Sequence, residues 1–356
     1  VSGLTRTERV GLIAVAILTA LSGVARYVSG FPHIIAFVLA GLALAGGAWI
    51  VSFATEQVGA TLGVAVTGLL QSTLGNLPEF FVVLFALQAG DLVVAQTAIL
   101  GSILVNALLV LGVAIVVGAR RRPDGLMRFS PRLPNDTATL LLMASFIIVL
   151  VGLAGAAHDP ASRHITAISV VGAGLLLVVY GVWTRQFLTT PPPAEEEEYE
   201  ADATRLGRSA ALTLLICAGV ASAFVSDWFI HALEPTIHSL HISAAFAGLV
   251  IVAIAGNAVE HAVGVVLAAR GRSELAISVI KASVGQVAAF LVPLLVLVSL
   301  LTTTTLTFAL PPVFTGALAA TALIMWQITG DGEASAFEGA ALIGAFVVIA
   351  VVAAFE

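Results

Sequence analysis

Stretches of about 20 apolar residues follow one another along almost the whole chain. In helical form about 20 such residues span the hydrocarbon of a bilayer, so this feature limits the fold more than any other. The stretches fall at roughly 9–28, 33–57, 59–87, 91–118, 138–157, 164–188, 207–229, 243–269, 274–300, 305–327 and 338–355. Of the 356 residues, 59% are apolar and 10% charged, against about a quarter charged in soluble domains. The chain therefore reads as an all-α membrane protein with about 11 transmembrane helices. Arg6 and Arg9 precede the first stretch, which lacks a small-x-small cleavage site and reads as a membrane helix rather than a signal peptide. The lone Cys217 excludes an internal disulfide framework and a cysteine metal cluster. Much of the net charge of −6 comes from the run Glu195 to Asp202, and no basic surface suggests nucleic acid.

Arginine placement orients the spans. With eleven of them, Arg6, Arg9, Arg120, Arg121, Arg122, Arg128, Arg132, Arg185, Arg205, Arg208, Arg270 and Arg272 share one side, and Arg26 and Arg163 take the other. The positive-inside tendency makes the rich side cytoplasmic, with the N-terminus inside and the C-terminus outside. The long polar linker, with Pro191-Pro192-Pro193 and Glu195 to Glu198, divides the chain. The expected parts are an N-terminal helix (1–31), a first five-helix repeat (32–188), an acidic cytoplasmic linker (189–206) and a second five-helix repeat (207–356). Five is odd, so the second repeat enters the membrane from the opposite face. Two inverted five-helix repeats are a common transporter plan.

The repeats share a motif. Gly75-Asn76-Leu77-Pro78-Glu79 and Gly256-Asn257-Ala258-Val259-Glu260-His261 both lie inside apolar sequence, where ionisable groups are costly and by default functional. Glu79 is followed 23 residues later by Ser102, and Glu260 at the same interval by Ser283. Glu56 precedes the first motif much as Asp227 precedes the second. Asn and Glu three apart share a helix face, and Ser72, four before Asn76, joins the first pair. Gly75, Pro78 and Gly256 are break points that would free backbone carbonyls beside the carboxylates, giving broken core helices. Two carboxylates, two carboxamides and a few carbonyls make an oxygen-rich site, suited to a hard cation such as Ca2+.

These motifs, with Gly101-Ser102-Ile103-Leu104-Val105-Asn106 and the Ser283 to Gln286 segment, resemble the calcium/proton antiporters of the cation/calcium exchanger superfamily. The resemblance covers nearly all of the chain after the first helix. It implies a secondary active transporter, not an enzyme and without a cofactor, exchanging Ca2+ for H+ across a cell or inner membrane. Glu79 and Glu260 are implied as cation ligands and proton carriers, and Asn76 and Asn257 as supporting ligands. Ser102, Asn106, Ser283 and Gln286 are implied on the flanking helices, and Glu56 and Asp227 along the cation routes.

Three departures keep other readings open. Pro78 makes the first motif partly resemble the sodium/calcium exchanger branch, and Gln71 stands where the family commonly has Asn. Lys281 stands where an uncharged residue is usual; it either points away from the site and snorkels to the cytoplasmic face, or pairs with a carboxylate or substitutes for a cation. Sodium/calcium or sodium/proton exchange is the alternative within the same fold. His261 either tunes the proton affinity of Glu260 or bridges helices. A zinc enzyme would need paired histidines such as His-Glu-x-x-His, whereas His231, His238 and His241 read as an outer loop. A cation channel and a homo-oligomer stay open, and the acidic linker reads as solvated.

Overall fold

The computed structural model describes residues 4–59, 73–189 and 206–356. Within them run α1 (Arg6–Tyr27), α2 (His33–Gly59), α3 (Leu77–Ala89), α4 (Leu92–Ala119), α5 (Arg132–Ala156), α6 (Ile165–Leu188) and α7 (Arg208–Leu240). There follow α8 (Ala244–Gly256), α9 (Ala258–Ala269), α10 (Ser273–Leu301), α11 (Pro312–Thr329) and α12 (Ala336–Ala354). Two short strands, β1 (Leu126–Arg128) and β2 (Glu333–Ser335), pair antiparallel. Among the described residues nine helices are long and apolar enough to cross a bilayer, and α8 with α9, bent by 65° between them, make a tenth. The expected span over 59–87 lies partly outside the described residues, as do Gln71, Ser72 and the acidic run.

Local chemistry sets the helix ends. Thr5 and Glu8 form a reciprocal capping box on α1, as do Ser335 and Glu338 on α12. Asp91 caps α4 by accepting from the Val94 amide at 3.1 Å. The α3–α4 turn needs a left-handed residue and uses Gly90 (φ 85°). Three expected boundaries move, the span expected from 138 starting already at Arg132. The helix expected over 207–229 continues to Leu240, so His231 and His238 lie on α7 and His241 is its cap. Phe229, Ile230, Leu233 and Ile237 are buried there, and that packing carries the helix through Pro235. The span expected from 305 starts at Pro312, because Pro311-Pro312 favours a helix start over a helix interior.

Loop contacts define two ends of the molecule. At one, β1 pairs with β2, the Ser130 amide donates to Glu274 Oε2 at 2.6 Å, and Gly271 approaches Arg121. Arg128 also pairs there with Asp124 and, at 3.4 Å, with Glu333, and the Arg128 guanidinium holds the Asp124 carboxyl below its usual value. At the other end the Thr303 hydroxyl donates to the Leu87 and Gln88 carbonyls, and the Phe308 amide donates to Ser169 Oγ. Thus α3 runs towards the second end and α4 returns, whereas α9 runs towards the first and α10 returns. The equivalent helix pairs point in opposite directions, and the repeats are inverted.

The two returning helices form the core. In their apolar windows α4 is 83% buried and α10 67%, against 11% for α1 and 22% for α12. The peripheral helices turn residues such as Val182, Ile216 and Val348 outwards, as a lipid-facing surface requires. Each core helix carries a π-helical turn, Val105–Val110 just past Ser102 and Val287–Leu291 just past Ser283. Such turns disturb the regular ladder and are frequent at functional sites. Small residues let α4 and α8 cross closely: a Cβ on Gly101 would lie 2.2 Å from the Leu249 carbonyl oxygen, and one on Gly248 2.0 Å from Thr97 Oγ1.

Candidate functional site

Both Gly-Asn-x-x-Glu motifs leave α-helical geometry at the asparagine. Asn76 (φ −81°, ψ 2°) and Asn257 (φ −114°, ψ 15°) precede α3 and α9. Pro78 sits in the first turn of α3, where a missing amide hydrogen costs little, and Ser226 Oγ on α7 donates to its carbonyl at 3.2 Å. Glu79 and Glu260 each fall in the first turn after the break. Unpaired amides and the helix dipole at such an N-terminus favour a carboxylate.

The two acids come from opposed halves and converge. A Cβ on Gly75 would lie 2.6 Å from Glu260 Oε1, and a Cβ on Gly256 would lie 3.8 Å from Glu79 Cβ. Each motif's glycine therefore faces the other motif's glutamate, and at Gly75 only a missing side chain leaves room for the carboxylate. Asn257 Nδ2 donates to Ser102 Oγ at 3.0 Å, to the Ala253 carbonyl at 3.3 Å and to Glu79 Oε2 at 3.4 Å. On the other side Ser283 Oγ donates to Glu260 Oε2 at 2.7 Å. Gln286 Nε2 donates to Thr73 Oγ1 at 2.6 Å and to the Tyr180 hydroxyl at 3.0 Å.

Asn76, Glu79, Ser102, Asn257, Ser283 and Gln286 are at most 2% exposed, while Glu260 is half-buried. Within this site Glu79 Oε1, Asn257 Oδ1 and Gln286 Oε1 are buried without a hydrogen-bond partner. Buried polar atoms are nearly always paired, and all three of these are oxygens that accept. Like the Glu260 carboxylate, they are oxygens of the type hard cations take. Among the described residues no group of three or more His, Cys, Asp and Glu gathers anywhere, so the set consists of two acids with amide and hydroxyl oxygens.

Other expected residues stand apart from this network. Asn106 Nδ2 donates back to the Ser102 carbonyl at 3.1 Å. His261 Nε2 is buried without a hydrogen-bond partner. Asp227 is half-buried on α7, one residue from the Ser226 contact with Pro78 and deeper than a helix ending at 229 would place it. The Glu56 side chain and all of Ser72 lie outside the described residues. Lys281 points away from the carboxylates but does not snorkel: it is fully buried, and Nζ donates to Thr329 Oγ1 at 2.9 Å. That hydroxyl in turn donates to the Met325 carbonyl at 2.7 Å. Sequence reasoning missed Thr73 and Tyr180, the partners of Gln286. A tyrosine in the apolar 164–188 stretch was the available signal for the second.

Residues 32–188 and 210–355 match the family described as sodium/calcium exchanger protein. The chain belongs to that family. The exchanger is 31% identical over 322 residues to the vacuolar calcium ion transporter of Schizosaccharomyces pombe, covering 88% of this chain and 77% of that protein. It is also 31% identical over 307 residues to the Ca(2+)/H(+) antiporter ChaA of Bacillus subtilis, covering 84% and 86%. Among solved structures it superposes on native YfkE with a TM-score of 0.81 at 24% identity, covering 97% of this chain and all of that one. The H+/Ca2+ exchanger CAX follows at 0.75 and 18%, covering 98% and 93%. Both superpositions show that the exchanger has this membrane-transporter fold.

Proposed function

We propose that this exchanger carries Ca2+ in one direction and H+ in the other by alternating access, with Glu79 and Glu260 holding the cation and the protons by turns. The observation that carries the reading is the meeting of two acids from inverted halves, with buried acceptor oxygens beside them. Relatives named as Ca(2+)/H(+) antiporters support the choice of ions.

The chemistry follows from charge. Two ionised carboxylates in low dielectric cost several kcal/mol each when uncompensated. A divalent cation neutralises both, and so do two protons. The loaded and the doubly protonated sites can therefore change access, while the empty, doubly charged site is held back. Asn257, Ser102 and Ser283 fix the carboxylates, and the open oxygens of Asn257 and Gln286 complete the cation's shell. Asn76 supports the site from the first break. The half-buried Asp227 on α7 and Glu56 on α2 would line the cation routes to and from the site. Any charge left uncompensated moves against about 2.3 kcal/mol per 100 mV, so the stoichiometry decides how strongly the membrane potential acts. We place the arginine-rich end in the cytoplasm.

The test is Ca2+ flux into proteoliposomes driven by a pH gradient, at several sodium concentrations. Ca2+ uptake matched by proton release and indifferent to sodium is the expected result. Uptake that requires a sodium gradient would replace this reading with sodium/calcium exchange, the alternative that Pro78 raises.

A further inference from the structure

Away from the acids, the turn between α1 and α2 packs against α7 around a partly open cavity of about 100 Å³. Ser22, Arg26, His33, Trp228 and His231 line it. Three of their polar atoms, Ser22 Oγ, Arg26 Nε and Trp228 Nε1, are buried without a hydrogen-bond partner. Guanidinium and indole nitrogens only donate, so the partner they lack is an acceptor. Arg26 is permanently charged, and among the described residues no carboxylate forms an ion pair with it; its guanidinium lies 5.5 Å from the Tyr27 ring centroid. An anion would both supply that acceptor and balance the Arg26 charge. His33 opens α2, so the positive end of a 27-residue helix also faces this space.

We propose that this cavity binds a phosphate group, carried by a membrane phospholipid or free in solution. A tetrahedral anion fits the volume and accepts from several directions at once, which suits donors carried by α1 and α7 around one cavity. The level in the membrane suits a lipid headgroup. The cavity sits where α1 ends and α2 begins, Tyr27 is exposed beside it, and the Tyr27 and Trp228 rings meet edge to face at 6.3 Å. Such aromatics mark the headgroup level. Val24, Ile35 and Phe224 are exposed on the same three helices, where acyl chains would lie.

The test is the thermal midpoint of the purified full-length chain in detergent, titrated with dioleoyl phosphatidylglycerol, dioleoylglycerol or inorganic phosphate. The wild type is compared with Arg26→Gln and Trp228→Phe; the second keeps the ring and removes one N–H. Phosphatidylglycerol is expected to raise the wild-type midpoint, with an apparent affinity about tenfold weaker in each variant, while dioleoylglycerol has no effect. If inorganic phosphate acts as strongly as the lipid and both variants blunt it, the ligand is free phosphate and the assigned chemistry stands. The proposal is overturned if no phosphate compound shifts the wild type, if dioleoylglycerol acts as well as phosphatidylglycerol, or if the variants respond like the wild type.

Discussion

Replacing Gly75 by alanine tests the convergence of the two halves without removing any polar group. The new methyl carbon would lie 2.6 Å from Glu260 Oε1, so the carboxylate must retreat by about 0.6 Å or more to reach ordinary contact. The obstacle is the end of a flexible side chain, and alanine suits a helix better than glycine, so the protein should fold. The retreat strains the 2.7 Å bond from Ser283 and moves a ligand oxygen out of place. Losing part of a charge-assisted bond, about 1–2 kcal/mol, should weaken apparent Ca2+ affinity about five- to thirtyfold. Gly256→Ala is the control: there the methyl would meet Glu79 Cβ at 3.8 Å, an ordinary contact, and flux should stay within about twofold of wild type. The assay is Ca2+-dependent proton flux in proteoliposomes as a function of Ca2+ concentration. Wild-type affinity in Gly75→Ala, or a larger loss in Gly256→Ala, would refute this geometry.

Two further predictions concern packing. Lys281→Met should fold and transport, because a buried amino group bonded to the neutral Thr329 hydroxyl is replaced by an apolar chain of similar length. Thr329→Val strands that amino group and should destabilise by about 1–3 kcal/mol, read as a lower thermal midpoint that Lys281→Met restores in the double variant; additive losses would count against the pairing. Gly248→Ala drives a methyl to 2.0 Å from Thr97 Oγ1 and 2.9 Å from the Val94 carbonyl. Since backbone cannot yield as a side chain can, its yield of folded protein should fall well below that of Gly344→Ala, whose methyl meets nothing within 4 Å.

Much of this was legible in the sequence because a membrane simplifies it. In apolar surroundings Glu79, Glu260 and their asparagines stand out, and the breaks at Gly75 and Gly256 follow from residue type. The repeat was legible through the matched spacing to Ser102 and Ser283. What escaped depends on tertiary contact. The π-helical turns after those serines carry no residue signature. Gln286 finds Thr73 and Tyr180 on segments more than a hundred residues away. The β1–β2 pair joins segments some 200 residues apart and is too short to show alternation. For Lys281 the sequence left snorkelling and a role in the site both open, because helical phase gives direction but not depth; Thr329 on α11 closes over it.

The central claim is that Glu79 and Glu260 hold one ion between them, and equilibrium 45Ca2+ binding to the purified chain tests it most directly. One Ca2+ per chain is predicted for the wild type, with binding lost in both Glu79→Gln and Glu260→Gln. Undiminished binding in either variant, or two independent ions of which each substitution removes only one, would contradict a shared site.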